Sequence, residues 1–128
     1  MPETVRVLAI DREEIILKSI VKALTAKGST TFAVTTTTSA LEGLKIVRND
    51  VFDVVFVDVA MAGLNSAELL RRIKHTSPSV SVILTSGHLS GTSFPEEVSM
   101  NADGFLSKPF TTGEIRSLLS SILRKRKG

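Results

Sequence analysis

The stretch DVVFVD, residues 53–58, places four apolar residues between two acidic ones. A short run of this kind is typical of a strand that is buried on both faces, as the strands of a parallel sheet are. Parallel strands are joined by crossover helices that cover both faces of the sheet. A fold built around this strand therefore requires short strands that alternate with amphipathic helices along the rest of the chain.

The chain does alternate in this way. Four more apolar runs have strand character, at residues 5–10, 32–36, 80–85 and 104–107. Helices are predicted between them because apolar residues recur at helical spacing behind helix-start signals. These signals lie near Glu13, at Ser39–Glu42, at Asn65–Glu68 and at Thr111–Glu114, while Gly28 and Pro78 mark helix ends. A weaker helix signal lies at residues 95–98, where proline occupies the first turn.

Five such units predict an α/β fold, a doubly wound five-stranded parallel sheet with helices on both faces. The flavodoxin-like strand order 2-1-3-4-5 suits five units and places ligands at the carboxyl ends of the strands. The length of 128 residues fits one domain. We expect that domain to span residues 1–123, followed by a basic tail or truncated linker at residues 124–128.

The net charge of +3 originates at the end of the chain, where residues 124–127 read RKRK. Without them the chain carries 12 basic and 13 acidic groups, so the globular part is nearly neutral and a nucleic-acid partner is not expected. The cluster is predicted to form the solvated last turn of a helix, where cations suit the negative end of the dipole. A linker or a weak anion-binding patch is the alternative.

The absence of cysteine excludes disulfides, thiolate zinc sites and thiol nucleophiles. No apolar run approaches the roughly 18 to 20 residues that cross a bilayer, and the first residues do not have the pattern of a signal peptide. We therefore expect a cytoplasmic protein without a membrane partner.

Polar residues follow the predicted strands at the edge where ligands bind. Asp11 follows strand 1, Asp58 ends strand 3, Ser86 follows strand 4 and Lys108 follows strand 5. The strand order makes these four positions contiguous. A carboxylate can attack a phosphoryl group to form an acyl phosphate, and a hydroxyl and an ammonium can stabilise the transferred oxygens. The placement predicts a site for phosphate chemistry.

These residues lie in motifs that resemble a bacterial response-regulator receiver domain. The motifs are VLAID at residues 7–11, VD at 57–58 with Met61 and Gly63 after it, LTSG at 84–87 and GFLSKPF at 104–110. The resemblance covers essentially the whole chain. It implies a signalling domain and no enzyme, acting in a two-component phosphorelay. The implied partners are a sensor histidine kinase or phosphotransfer protein, and an output protein or effector domain.

The resemblance also implies a role for each residue. Asp58 resembles the phosphoryl acceptor that becomes an aspartyl phosphate. Ser86 resembles the hydroxyl that turns toward the phosphate, and Phe105 the aromatic ring whose rotamer follows that turn. Lys108 resembles the ammonium that pairs with the acceptor or the phosphate. The Lys108–Pro109 bond is expected to be cis, as it is in the family.

One residue departs from the family pattern. Receivers usually carry two consecutive acids after strand 1, the second of which ligates Mg²⁺, but here Arg12 follows Asp11. A guanidinium cannot ligate metal, although it can bridge to a carboxylate or phosphate. The charges of Asp11, Asp58, Arg12 and Lys108 then sum to zero, so the pocket has little electrostatic need for Mg²⁺. We therefore expect that Mg²⁺ binding is doubtful and that Arg12 replaces the ion in part. If Mg²⁺ binds, Asp11, Asp58 and the Ala60 backbone would hold it.

Two functions remain open at this point. In the first, Asp58 accepts a phosphoryl group from a histidine kinase. In the alternative, Arg12 holds Asp58 inactive and the chain is a pseudo-receiver, which signals by protein–protein interaction without phosphorylation. Glu13 could restore an acid beside Asp11 by turning inward, but a glutamate in a first helical turn is expected to be solvated.

The remaining observations exclude rival functions or leave details open. A haloacid-dehalogenase-type phosphatase needs a second acid where this chain has Ala60, and in a flavodoxin residues 11–14 would repel the cofactor phosphate. The family usually has proline where this chain has Ala62, and the position of Ala60 tunes the access of water to the phosphate. His75 and His88 are expected to be exposed and not to bind metal.

Overall fold

The computed structural model describes residues 4–26, 28, 30–61, 66–87 and 101–127. Strands and helices alternate along the chain as predicted. They are β1 (Thr4–Ile10), α1 (Glu14–Thr25), β2 (Thr31–Thr37), α2 (Ala40–Asn49), β3 (Val54–Asp58), α3 (Ser66–Thr76), β4 (Ser81–Ser86), β5 (Gly104–Ser107) and α4 (Thr112–Lys127). The helix predicted at residues 95–98 and the start signal at Asn65 lie outside the described residues.

The five strands are parallel and lie in the order β2-β1-β3-β4-β5. This confirms the predicted doubly wound fold. Every residue of β3 is buried, which agrees with the apolar run between its two acids. Side chains alternate across the sheet, so Val55 and Val57 join the core beneath α2 and α3, while Val54 and Phe56 join the core beneath α1 and α4.

Side chains predicted to cap helices do so at two starts. Ser39 Oγ accepts the backbone N–H of Glu42 at 3.2 Å and begins α2. A capping box begins α4, in which each of two residues accepts a hydrogen bond from the other. Thr111 Oγ1 accepts the N–H of Glu114, and Glu114 Oε1 accepts the N–H of Thr111, both at 3.0 Å. These bonds satisfy amides that have no partner inside the helix.

The end of α1 differs from the prediction, which placed it at Gly28. The helix ends at Thr25, and Ala26 is already extended. Arg116 of α4 reaches this end, where its Nη1 donates to the carbonyl oxygens of Ala23 at 2.9 Å and Ala26 at 3.3 Å. A side chain from a distant helix thus satisfies carbonyls that α1 leaves free.

The basic residues 124–127 form the last turn of α4. Arg126 is not fully solvated, as its side chain is 30% exposed and Nη2 lies 3.7 Å from Asp53 Oδ1. Arg126 Nη1 also donates to Ser81 Oγ at 3.2 Å and to the carbonyl oxygen of Ser79. The helix end is therefore tied to the amino edge of the sheet. Within the described ranges, no helix has both the length and the apolar character that a membrane span requires.

Candidate functional site

Three charged side chains meet at the carboxyl edge of the sheet, where β1, β3 and β5 end. Lys108 Nζ lies 2.8 Å from Asp11 Oδ2 and 3.4 Å from Asp58 Oδ1. The exposed fractions of the side chains are 2% for Asp11, 3% for Asp58 and 10% for Lys108. The backbone positions Lys108, because its N–H donates to the carbonyl oxygen of Ser86 at 2.8 Å. The single ammonium group of Lys108 therefore lies within ion-pair distance of two buried carboxylates.

The two oxygens of Asp58 have different surroundings. Oδ1 accepts the backbone N–H of Ala60 at 3.1 Å and lies near Lys108. Oδ2 is buried and has no hydrogen-bond partner among the described residues. A buried polar atom without a partner is costly and uncommon, and such atoms often mark a site of binding or reaction. Asp58 Oδ2 is thus the oxygen of this carboxylate that the described structure leaves without a hydrogen bond.

Asp11 is constrained more strongly. Its Oδ1 accepts the backbone N–H of Glu13 at 2.8 Å, and its Oδ2 forms the ion pair with Lys108. Burial raises the pKa of the Asp11 carboxyl above its ordinary value, and the negative charge of Asp58 adds to this effect. The contacts with Lys108 and the Glu13 amide oppose the rise but do not cancel it. The charged form of Asp11 is therefore held at an energetic cost.

Arg12 lies at the rim of the site. Its Nε is 4.0 Å from Asp58 Oδ2, and its side chain is 60% exposed. This distance is the outer limit of an ion pair and is too long for a hydrogen bond, so the two groups do not form a bidentate bridge. The guanidinium is close enough to attract a second anion beside Asp58 but does not occupy the carboxylate.

Glu13 is exposed, as expected, although its carboxylate also lies near the site. It is 51% exposed, and its Oε1 lies 3.9 Å from Lys108 Nζ. The carboxylate therefore faces the site at long range and adds a weak negative charge to it. If Glu13 is included with Asp11, Asp58, Arg12 and Lys108, the formal charge of the site is about −1.

The remaining residues assigned from the resemblance lie nearby. Ser86 is buried and directly follows Thr85, the residue of β4 that is in register with Asp58. Phe105 lies on the neighbouring β5, in register with Leu84, and is 38% exposed. The Lys108–Pro109 peptide bond is cis.

Among the other singled-out positions, Ala60 joins the site only through its backbone. Ala60 is exposed, and it contributes its backbone N–H to Asp58. His75 is exposed at the end of α3, as expected. Ala62, Gly63 and His88 lie outside the described residues.

The donor set partly fits a magnesium ion. Asp58 Oδ2 is a buried oxygen without a hydrogen bond, and Asp11 Oδ2 is paired only with Lys108. Mg²⁺ typically binds one or two carboxylates together with water and phosphate oxygens. In the part of the chain that the structure describes, no group of three or more acidic, histidine or cysteine side chains could hold a metal. The site thus has two strong carboxylate donors, and Arg12 stands where the family has a third.

Sequence reasoning named the Ala60 backbone only as a possible magnesium ligand and missed two backbone hydrogen bonds that shape the site. The N–H of Ala60 fixes one oxygen of Asp58, and the carbonyl of Ser86 fixes Lys108. Neither contact has a side-chain signal in the sequence, because any residue except proline supplies the same N–H and every residue supplies the same carbonyl. Only the fold brings these groups to the site.

The fold and the site define the class of protein as an α/β domain in which a doubly wound five-stranded sheet carries a buried carboxylate pair and a lysine at its carboxyl edge. The family model described as the response regulator receiver domain matches residues 7–120. The chain belongs to this family, whose members are signalling domains of two-component systems that act with sensor kinases and output domains.

Individual relatives agree with this assignment. The chain is 30% identical over 125 residues to the transcriptional regulatory protein CseB of Streptomyces coelicolor, covering 98% of this chain and 52% of that protein. It is 25% identical over 122 residues to the response regulator MprA of Mycobacterium leprae, covering 95% and 52%. The chain thus spans about half the length of these relatives.

A solved structure shows the same similarity in three dimensions. The response regulator receiver domain protein from Clostridium thermocellum is 30% identical and superposes with a TM-score of 0.82, covering 96% of this chain and 97% of that one. The similarity therefore extends over the complete sheet and its helices.

Proposed function

We propose that Asp58 accepts a phosphoryl group from the phosphohistidine of a sensor histidine kinase or phosphotransfer protein. The observation that supports this most directly is the buried Oδ2 of Asp58, which has no hydrogen bond among the described residues, in a carboxylate whose other oxygen lies 3.4 Å from Lys108 Nζ. A carboxylate nucleophile needs an oxygen that no other group blocks, and a cation beside it can stabilise the oxygens of the transferred phosphoryl group. In this proposal the receiver domain is residues 1–123, and residues 124–127 extend its last helix.

The proposed reaction is a direct phosphoryl transfer. Asp58 Oδ2 attacks the phosphorus atom as the bond between phosphorus and the donor imidazole breaks. The electron pair of that bond returns to the imidazole nitrogen, which takes a proton from the solvent. Lys108 stabilises the charge that the transferred oxygens carry, and the buried hydroxyl of Ser86 is one residue away from the β4 partner of Asp58.

Magnesium supports this chemistry in the family by neutralising charge on the transferred oxygens. In this chain Asp11, Asp58 and the Ala60 backbone would hold the ion. Arg12 supplies a positive charge at the same edge, so we propose that the requirement for Mg²⁺ is weaker than that of a three-acid site. The half-exposed guanidinium is free to turn toward a phosphoryl group on Asp58.

The pseudo-receiver alternative is less well supported. It requires Arg12 to neutralise Asp58, but the separation of 4.0 Å and the 60% exposure of Arg12 describe a loose contact. Such a contact leaves Asp58 available to a phosphodonor.

Phosphorylation is proposed to act on a protein partner in the cytoplasm. A phosphoryl group on Asp58 draws Ser86 and Lys108 toward it and shifts an existing equilibrium between two conformations. The ring of Phe105, which is 38% exposed on β5, would change its rotamer with this shift and so alter the surface that a partner meets. The partner is an output protein or an effector domain, since the relatives are about twice as long as this chain.

The test is the intact mass of the protein after incubation with acetyl phosphate, with and without Mg²⁺. We expect one phosphoryl group on the native chain and none on Asp58→Asn. Asp53→Asn is the matched control, because it changes the acid at the opposite end of the same apolar run and should still be labelled. Labelling that persists in Asp58→Asn, or is absent from the native chain under all conditions, would contradict the proposal.

A further inference from the structure

The strand β2 lies at the edge of the sheet and pairs only with β1 among the described strands. It is seven residues long and pairs with β1 along its whole length. An edge strand of this length presents a row of backbone groups to which another strand can bind.

One backbone hydrogen bond shows which groups point outward. The carbonyl oxygen of Thr37 accepts the N–H of Asp11 at 3.2 Å, so Thr37 faces the β1 side. Backbone groups alternate along a parallel ladder, and the N–H and C=O of Phe32, Val34 and Thr36 therefore point away from β1. No hydrogen bond within the described residues reaches these groups.

The sequence around β2 has none of the usual protection of an edge strand. Natural edges carry charged residues or proline, which prevent pairing with another chain. Residues 28–41, GSTTFAVTTTTSAL, contain neither. Thr31, Thr35 and Thr36 are exposed, so the outer surface of β2 is uncharged, rich in β-branched residues and accessible.

We propose that this edge binds β2 of a second copy of the chain, in antiparallel register about Val34, so that the two sheets become one. Val34 would lie opposite Val34 of the second copy, and Phe32 opposite Thr36. These three pairs supply about six main-chain hydrogen bonds. The aromatic and β-branched pairs that result are favourable across strands, and no like charges meet.

The charge pattern of α1 favours a second copy over an unrelated strand. A groove of about 480 Å³ runs beside β2, and it is lined by Glu14, Lys18, Lys22 and Thr36 together with the apolar Leu17 and Val21. Glu14 lies in the first turn of α1 and Lys22 in its last. Antiparallel pairing of β2 would also bring the two α1 helices together in opposite directions. Glu14 of each copy would then face Lys22 of the other in two opposite-charge pairs, on either side of one Lys18–Lys18 pair at the centre.

Sedimentation equilibrium over a roughly hundredfold range of concentration tests the proposal. We expect a reversible dimer for the native chain. Thr36→Pro removes an outward N–H and should abolish the dimer without breaking the ladder to β1. Thr36→Val keeps the N–H and is the matched control, which should still dimerise. A monomer at every concentration, or a dimer that survives in folded Thr36→Pro, would overturn the proposal.

Two further measurements do not depend on the folding of the proline variant. Glu14→Lys and Lys22→Glu should each weaken dimerisation at least about fivefold, and the double variant should restore it. In the native chain, the amides of Phe32, Val34 and Thr36 should exchange more slowly as concentration rises, while that of Thr35 should not change. A double variant that does not regain native dimerisation would contradict this register. So would amide exchange that responds equally to concentration at Thr35 and at Phe32, Val34 and Thr36. None of these outcomes depends on phosphorylation of Asp58.

Discussion

At the scale of single residues, we expect Arg12 to weaken the binding of a cation at the site. Replacing Arg12 by aspartate removes one positive charge and adds one negative charge next to Asp58. We expect Arg12→Asp to bind Mg²⁺ at least about tenfold more tightly than the native chain, a change of about 1.4 kcal/mol. Isothermal titration calorimetry measures this affinity directly.

A graded control separates the charge of Arg12 from its shape. Arg12→Gln removes the positive charge without adding an acid, so its affinity for Mg²⁺ should lie between those of the native chain and Arg12→Asp. Equal affinities of all three proteins would mean that Arg12 does not influence the cation site. The intact-mass assay on the same proteins should show the strongest Mg²⁺ dependence for Arg12→Asp.

Asp11 should limit the stability of the fold. Burial raises the pKa of its carboxyl, so its contribution to stability is fully present below the unfolded pKa of about 3.9 and is lost as pH rises through the folded pKa. Asparagine keeps an acceptor for the N–H of Glu13 but does not ionise. We therefore expect Asp11→Asn to have a higher Tm than the native chain at pH 7.

The pH dependence of this difference is the decisive measurement. The gain in Tm should shrink as pH falls toward 4, because Asp11 of the native chain then becomes protonated. Lys108 keeps a partner in the variant, since Asp58 remains 3.4 Å away. A Tm at pH 7 below that of the native chain would show instead that the pair of Asp11 with Lys108 outweighs the cost of burial.

At the scale of elements, the helix starts were predictable and one helix end was not. The boxes at Ser39 and Thr111 involve residues only three apart, so the sequence contains both partners of each bond. The end of α1 depends on Arg116, which is 93 positions from Ala23. Gly28 looks like a stop signal, but the carbonyls are satisfied earlier by a contact that only the tertiary structure creates.

The capping box of α4 gives a prediction at this scale. Thr111→Ala removes the oxygen that accepts the N–H of Glu114 and should lower the free energy of unfolding by about 1 kcal/mol. Urea denaturation followed by circular dichroism measures the loss. Thr112→Ala is the control, because Thr112 is exposed and its neighbour supplies the cap. Equal losses for both variants would exclude the box as the cause.

At the scale of the whole molecule, the pattern of the sequence was sufficient for the topology and for the location of the site. Apolar runs such as residues 54–57 mark strands buried on both faces, and the ends of parallel strands must share one edge. The detailed geometry could not be predicted in this way. Spacing places Lys108 near both carboxylates but does not reveal that it lies closer to Asp11, or that Arg12 lies at the rim.

The same sheet divides the molecule into two cores, and this predicts how mutations combine. Ile73 of α3 is fully buried in one core and Ile115 of α4 in the other. Each change to valine removes one methylene group and should cost about 0.5 to 1.5 kcal/mol. Because the two side chains share no partners across the sheet, the double variant should lose the sum of the two within about 0.5 kcal/mol.

Urea denaturation of the native chain, the two single variants and the double variant measures this coupling. A single cooperative transition is expected for all four proteins, since both cores contain residues of β3 and cannot unfold separately. Ile73→Val with Leu69→Val is the comparison pair within one core, where the costs should not add because one repacked cavity serves both changes. A large coupling energy between Ile73 and Ile115 would mean that β3 transmits packing changes from one face to the other. The sheet would then not separate the two cores energetically.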